Sequence, residues 1–221
     1  MGFERARRPE HKAIRRAQIL DATHELIAEQ GVRGLTLATI GERVGLAAST
    51  VARQFHSRDD LFVTLTEREW GRFDELVRRG LGERPEDIAG AFVRALVGLP
   101  VLCELGAYMP AAQQFELADE VVRSYRRTTL AHVRGLAEAV HAADRRISVE
   151  RGRGLVATAV VMAAGTWTSS NPGRARDPFH ANSPDLDDEP FDFEVLLRSV
   201  LEAVVAGFRQ RPPAESGATA G

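Results

Sequence analysis

The fold is decided by residues 36–61, which read TLATIGERVGLAASTVARQFHSRDDL. Thr36 can cap a helix whose apolar positions recur at the spacing of one helical face. These positions are Leu37, Ile40 and Val44. Gly45 then ends the helix, because glycine permits a backbone turn that a side chain would strain. The first half of the stretch therefore predicts one short helix followed by a tight turn.

A second short helix is predicted from Ala48 to Phe55. Val51 and Phe55 are spaced so that both face inward, and the other side of this helix is polar. Two short helices joined by a turn that contains glycine, the second with an apolar inner face, have the dimensions of a helix-turn-helix.

Longer helices are predicted on both sides of this unit. The first begins near Pro9, since proline suits the first turn of a helix, and ends before Gly31. Its inward stripe is Ile19, Thr23, Leu26 and Ile27. Ser57 is a good N-cap for a fourth helix, which runs to about Gly80 and connects the unit to the rest of the chain.

The whole pattern resembles the N-terminal signature of the TetR family of transcription regulators. The order and spacing match without a gap at Ile19, Leu20, Asp21, Ala22, Leu26, Glu29, Gln30, Gly31, Thr36, Ile40, Val44, Gly45, Leu46, Thr50, Val51, Phe55 and residues 56–61. The resemblance implies operator DNA as a partner. It also implies that these residues lie at or near the DNA: Thr36, Ala48, Ser49, Thr50, Arg53, Gln54 and Arg58.

The sequence departs from the family pattern at three positions, one just before the second short helix and two within it. Ala47 stands where the family has a Ser or Thr cap, Ala52 where it usually has tyrosine, and Gln54 where it usually has histidine. Loss of the cap is expected to cost about 1 kcal/mol of local helix stability, and loss of the tyrosine removes one anchor on the DNA backbone.

Charge is distributed unevenly along the chain. The formal net charge is −2, but residues 1–20 have an excess of arginine and lysine over acidic residues. A basic arm beside a small helical unit is typical of a protein that contacts phosphates locally.

The remainder of the chain also reads with helical periodicity, so the predicted class is all-α. The resemblance implies that an N-terminal three-helix DNA-binding domain is followed by a helical ligand-binding and dimerisation domain. Further helices are predicted at about 85–103, 106–116, 118–143, 149–169 and 190–210, with a loop over residues 171–189. The predicted domains are residues 1–56 with the basic arm, residues 57–210, and a disordered tail at 211–221.

A TetR-like architecture implies an internal pocket between the later helices for a small, mostly apolar effector, which the sequence does not identify. The aromatic and apolar side chains predicted to contact it are Phe92, Leu96, Tyr108, Met109, Phe115, Tyr125, Met162 and Trp167. Core packing is the alternative interpretation of each.

The last two helices are predicted to form a four-helix interface in a homodimer. Small residues of one and an apolar stripe of the other make up the predicted interface: Ala159, Ala163, Phe193, Leu197, Val200, Val204 and Phe208.

No catalytic, metal or cofactor site is predicted. The histidines lack metal-ligand spacing, and the acidic residues near Pro190 are more simply explained as complementing a helix N-terminus. A single cysteine, Cys103, and the lack of a signal segment or an apolar run long enough to span a membrane indicate a cytoplasmic protein.

The sequence therefore predicts a ligand-responsive, sequence-specific repressor that is not an enzyme. The alternative is a helical protein that binds small molecules and has a weakened or lost DNA-binding head, which the departures at Ala47 and Ala52 suggest.

Overall fold

The structure is a computed structural model that describes residues 3–108, 119–171 and 192–210. Within these ranges all the secondary structure is helical, so the predicted all-α class is confirmed. The helices are α1 (Phe3–Gln30), α2 (Leu37–Val44), α3 (Ala48–Ala52), α4 (Arg58–Glu83), α5 (Ile88–Val97), α6 (Pro100–Tyr108), α7 (Asp119–Ala143), α8 (Val149–Ser170) and α9 (Phe193–Gln210).

The caps predicted around α2 and α4 are present. Thr36 accepts a hydrogen bond from the Thr39 backbone N–H at 3.1 Å, and the Thr39 hydroxyl accepts one from the Thr36 backbone N–H at 3.0 Å. Gly45 has φ of 68°, a left-handed conformation that favours glycine. The Ser57 hydroxyl accepts from the Asp60 backbone N–H at 3.0 Å. These local signals fix the ends of the helices around the turn.

Helix bounds differ from prediction at three places. Helix α1 begins at Phe3 rather than near Pro9, because the arm around that proline consists largely of good helix formers. Helix α3 ends at Ala52 rather than at Phe55, since the chain must turn to bring Ser57 to the start of α4.

The third difference is a break in the helix predicted at 85–103. It is divided into α5 and α6, which are bent by 84°. Gly98 ends α5, and Pro100, which has no N–H to donate, opens α6.

Two hydrophobic clusters hold the helices together. The head core joins α1–α4 through Ile19, Ile27, Leu35, Ile40, Val51, Phe55, Leu61, Phe62 and Leu65. The regulatory core joins α4–α9 through Phe73, Val77, Ile88, Phe92, Leu96, Leu136, Val140, Leu155, Ala159, Leu197 and Leu201.

Helix α6 belongs to both cores. Val101 and Leu105 pack into the head core, whereas Leu102 and Cys103 pack into the regulatory core. The two halves of the molecule are therefore joined by side chains of α6, as they also are by the long helix α4, whose first half packs into the head core and whose second half packs into the regulatory core.

No single helix in the described part of the chain is both long and apolar enough to cross a membrane. By length and composition alone, the bent pair of α5 and α6 passes that test jointly.

Candidate nucleic-acid interface and regulatory site

The outer face of α3 is the surface predicted to contact DNA. Ala48, Ser49 and Arg53 are exposed there and Thr50 is half-buried, whereas Val51 is fully buried in the head core. The Arg53 guanidinium donates to the Thr50 hydroxyl at 3.0 Å, which holds the two side chains together. Thr36 is exposed at the start of α2. The outer face of α3 thus presents small polar groups and the Arg53 cation to solvent.

The position of α3 is fixed from behind by Arg16, which sequence reasoning counted only as part of the basic arm. Its guanidinium donates to the Gln54 backbone carbonyl at 2.6 Å and to the Thr64 hydroxyl at 3.2 Å. It also lies 3.9 Å from the centre of the Phe55 ring. The sequence did contain an indication that Arg16 faces inward, because it precedes the buried Ile19 by three positions and so shares its helix face.

We predict that Arg16→Met lowers the free energy of unfolding by about 1–3 kcal/mol, because hydrogen bonds from a charged donor are lost. Operator affinity should fall equally for all operator variants, since Arg16 orients α3 from inside the head. Urea unfolding and fluorescence anisotropy measure the two effects. The control is Arg15→Met on the exposed side of α1, and an equal loss of stability in both variants would contradict the anchoring role.

Gln54 and Arg58 differ from the other predicted DNA contacts in that both are half-buried. The Gln54 side-chain oxygen is buried and has no hydrogen-bond partner among the described residues. The Arg58 guanidinium donates to the Leu35 backbone carbonyl at 3.3 Å and to the Tyr108 hydroxyl at 2.7 Å. Burial raises the pKa of that tyrosine hydroxyl. Arg58 therefore joins α4 to α6, and its contact with DNA stays a prediction.

Most of the described residues predicted to contact a ligand belong to the regulatory core or pack against it, whereas Tyr108 lies at the head core. Phe92 and Leu96 are fully buried in the regulatory core, where Phe92 packs edge-on against Phe73 at 5.9 Å. Tyr108 packs edge-on against Phe62 at 5.8 Å, at the head core. At the edge of the regulatory core, three half-buried side chains remain: Tyr125, Met162 and Trp167. Met109 and Phe115 lie outside the described residues.

The cysteine and the potential metal ligands of the described residues are groups that could support reactive chemistry. Burial raises the pKa of Cys103 to about 12, so its thiol is not a nucleophile at neutral pH. Across residues 3–108, 119–171 and 192–210, no group of three or more potential metal ligands occurs.

Two family models match this arrangement. The model described as "Bacterial regulatory proteins, tetR family" matches residues 19–65, and "Tetracyclin repressor-like, C-terminal domain" matches residues 69–212. The chain belongs to the TetR family. It is a ligand-responsive, DNA-binding transcription regulator, and no comparison favours the alternative of a lost DNA-binding head.

Similar proteins support the same conclusion. The "Fatty acid metabolism regulator protein" of Bacillus subtilis is 22% identical over 88% of this chain and 95% of its own length. The "HTH-type transcriptional repressor KstR" of Rhodococcus jostii is 32% identical over 41% of this chain, and the match spans 44% of that repressor. The structure of Thermus thermophilus FadR with lauroyl-CoA has a TM-score of 0.55 at 17% identity, covers 93% of this chain and 100% of the other, and shows a shared fold.

Glu104 on α6 connects the two cores of this TetR regulator. One carboxylate oxygen accepts a hydrogen bond from the Val32 backbone N–H of the head at 3.1 Å. The other accepts from the Trp167 indole N–H on α8 at 2.8 Å. Sequence reasoning missed Glu104 because its partners are far away in the chain. A predicted ligand residue and the turn after α1 are thus bonded to the same side chain.

The predicted dimer residues of the TetR regulator divide into two groups. Ala159, Ala163 and Leu197 are buried inside the protomer's own core, and their place in a dimer interface stays a prediction. An apolar stripe alone does not say whether it faces its own core or another subunit. Half-buried positions at the edge of α9 stay predicted interface residues: Phe193, Val200, Val204 and Phe208.

Helices α8 and α9 also have exposed apolar positions that the sequence did not separate from the core. Val161 on α8 and Val195 on α9 are exposed, and a Cβ added to Gly165 would meet nothing within 4 Å. We call Val161, Gly165 and Val195 the outer face of α8 and α9.

Proposed function

We propose that this regulator represses transcription as a homodimer, and that a small, largely apolar effector of the acyl type releases it from operator DNA. The observation that carries the proposal is the double role of α6, whose side chains pack into both cores. A ligand that changes the regulatory core acts on the head through the same helix.

DNA binding is assigned to the exposed face of α3, with Thr36 at the start of α2. The exposure of Ser49 and Arg53 supports contact with base edges or phosphates in the major groove. Two symmetric copies would place two recognition helices on successive turns of one face of the duplex. The bonds of Arg58 to the Leu35 carbonyl and the Tyr108 hydroxyl support a role in holding the end of α6 against the head core.

An acyl effector is supported by two comparisons and by the character of the site. The matched Bacillus subtilis protein is named for fatty acid metabolism, and the similar Thermus thermophilus structure holds lauroyl-CoA. In this chain, Tyr125, Met162 and Trp167 are each half-buried and pack against the regulatory core. Such a surface suits a hydrocarbon chain, and the tryptophan and tyrosine add polar tips.

The test is a pair of titrations on the full chain, with lauroyl-CoA as probe and DNA from upstream of its own gene. Lauroyl-CoA should weaken DNA binding, and the DNA should weaken lauroyl-CoA binding by the same factor, as linkage requires. Affinity for DNA should also fall steeply with salt. If lauroyl-CoA and DNA do not change each other's affinity, the proposed coupling is contradicted. If no salt-dependent DNA binding is found, the repressor function is contradicted.

Coupling should depend on the bond between Glu104 and Trp167. Trp167→Phe keeps a ring against Phe193 but removes the indole N–H. We expect the factor by which lauroyl-CoA weakens DNA binding to shrink roughly two- to thirtyfold. Trp70→Phe is the matched control, since Trp70 is buried in the same core. Equal loss of coupling in both variants would show that aromatic packing, and not the bond to Glu104, carries the signal.

A further inference from the structure

Hydroxyl groups on the helices follow a common pattern. The hydroxyls of Thr23, Thr64, Thr66 and Thr166 each donate to the backbone carbonyl four residues earlier, at 2.6–2.8 Å. This bond satisfies a hydroxyl without any partner from another helix. A buried threonine on a helix therefore has a partner available within its own helix.

Thr129 on α7 and Ser170 on α8 depart from that pattern. Both hydroxyl oxygens are buried, and neither has a hydrogen-bond partner among the described residues. A buried hydroxyl without a partner costs about 1–3 kcal/mol, so a native protein retains one for a reason. An incoming ligand that bonds to the hydroxyl would supply that reason.

The two hydroxyls lie on the inward faces of their helices. Thr129 stands seven and eleven positions before Leu136 and Val140, which are fully buried, so the three share one face of α7. Ser170 stands seven and eleven positions after Ala163 and Ala159, which are likewise buried on α8.

The inward face of α7 is not filled evenly. Leu136 and Val140 at its C-terminal half are fully buried, whereas Tyr125 and Thr129 at its N-terminal half are only partly buried. On this face of α7 the packing is therefore less closed beside Thr129 than at the C-terminal half.

The spacing of the two hydroxyls follows from the packing of α7 on α8. A Cβ added to Gly152 would lie 3.0 Å from the Ala137 Cα, so these two positions are level with each other. Helices α7 and α8 are connected by a short turn and run in opposite directions. Thr129 precedes Ala137 and Ser170 follows Gly152, so both hydroxyls lie farther from the turn than the Ala137–Gly152 contact does. At 1.5 Å per residue they are roughly 15 Å apart along the helices. Apolar groups, including Met162 and Ala163, occupy the interval.

We propose that Thr129 and Ser170 bind the two ends of an elongated effector that has a polar group at each end and a hydrocarbon chain between them. This inference rests on the proposed acyl effector and narrows it. The acid or thioester end bonds to Ser170, and a hydroxyl or other polar group at the far end bonds to Thr129. A fatty acyl chain oxidised at its terminal carbon is the class that fits.

The test compares lauric acid with lauric acid hydroxylated at its terminal carbon, by isothermal titration calorimetry on the full chain. The native protein should bind the hydroxylated acid roughly three- to tenfold more tightly, which corresponds to the net free energy of one hydrogen bond. Thr129→Val, which preserves shape, should abolish this preference. Thr166→Val is the matched control, since the Thr166 hydroxyl is bonded to the Met162 carbonyl, and it should retain the preference. Ser170→Ala should weaken both acids equally.

The melting temperature of the empty protein gives a second measurement that needs no ligand. Thr129→Val should raise it, because an unpartnered buried hydroxyl is removed, whereas Thr166→Val should not. A lowered melting temperature for Thr129→Val, or equal binding of the two acids by the native protein, would overturn the inference and leave the acyl effector standing. If the native protein binds neither acid nor lauroyl-CoA, the acyl effector is overturned as well.

Discussion

Val161→Asp is expected to separate the dimer into protomers and to abolish binding to a full operator. The Val161 side chain is 68% exposed on α8, four residues before the open position at Gly165, and we propose that this outer face of α8 and α9 forms the dimer interface. In a two-fold interface each substitution occurs twice, so two unpaired carboxylates would be buried. Each costs about 3–5 kcal/mol when it has no partner. Analytical ultracentrifugation measures the mass, and anisotropy measures operator binding.

Leu130→Asp is the matched control for this prediction. Leu130 is 63% exposed on α7, outside the proposed interface, so the same change should leave mass and operator binding as they were. A Val161→Asp protein that remains dimeric would place the interface elsewhere. A monomeric variant that binds the full operator with native affinity would show that dimerisation is not needed for recognition.

Arg53→Ala is expected to weaken operator binding and to relax the preference at one symmetric pair of base pairs. Arg53 is exposed at the end of α3 and is held against the Thr50 hydroxyl, so its guanidinium is oriented before it meets the duplex. If the Arg53 guanidinium reaches a guanine edge, Arg53→Ala loses about 1–3 kcal/mol of binding free energy per half-site, and only for the operator variants that keep that base. Anisotropy against a set of single-base operator variants measures both quantities.

Two other outcomes for Arg53 have separate meanings. If operator affinity falls equally for all variants and depends less steeply on salt, Arg53 contacts a phosphate. An unchanged affinity for every variant would mean that α3 does not enter the groove. Arg43→Ala serves as control, because Arg43 on α2 is exposed but paired with Glu29 at 2.6 Å, and it should not alter base preference.

The helix-turn-helix could be predicted because its signals are local. Thr36, Gly45 and Ser57 each act within three or four residues of their own position, through a cap or a left-handed turn. The break at Gly98 and Pro100 was missed for the opposite reason. Phe92, Leu96 and Leu99 keep helical spacing up to the break, so the apolar pattern hides the change of direction.

The candidate sites were less predictable because their decisive contacts are not local. Glu104 bonds to Val32 and Trp167, and Arg58 bonds to Tyr108, across long separations in the chain. Likewise, the stripe that includes Leu197 has the same spacing whether it faces the protomer or a partner. Nothing in the sequence distinguishes Thr129 from the other helical threonines, since only the structure shows that its hydroxyl lacks the usual bond to its own helix.

The sharing of α6 limits how freely this regulator can be rebuilt from parts. Val101 and Leu105 complete the head core although they follow the helix-turn-helix by many residues. A head excised at its predicted boundary would therefore expose the surface that those two aliphatic side chains cover, and it would unfold more readily than it does in the intact chain. A chimaera that grafts this head onto another sensor would need to carry α6 with it, or a helix of matching shape. The head of this chain therefore cannot be exchanged as an independent module, because its core includes side chains of α6.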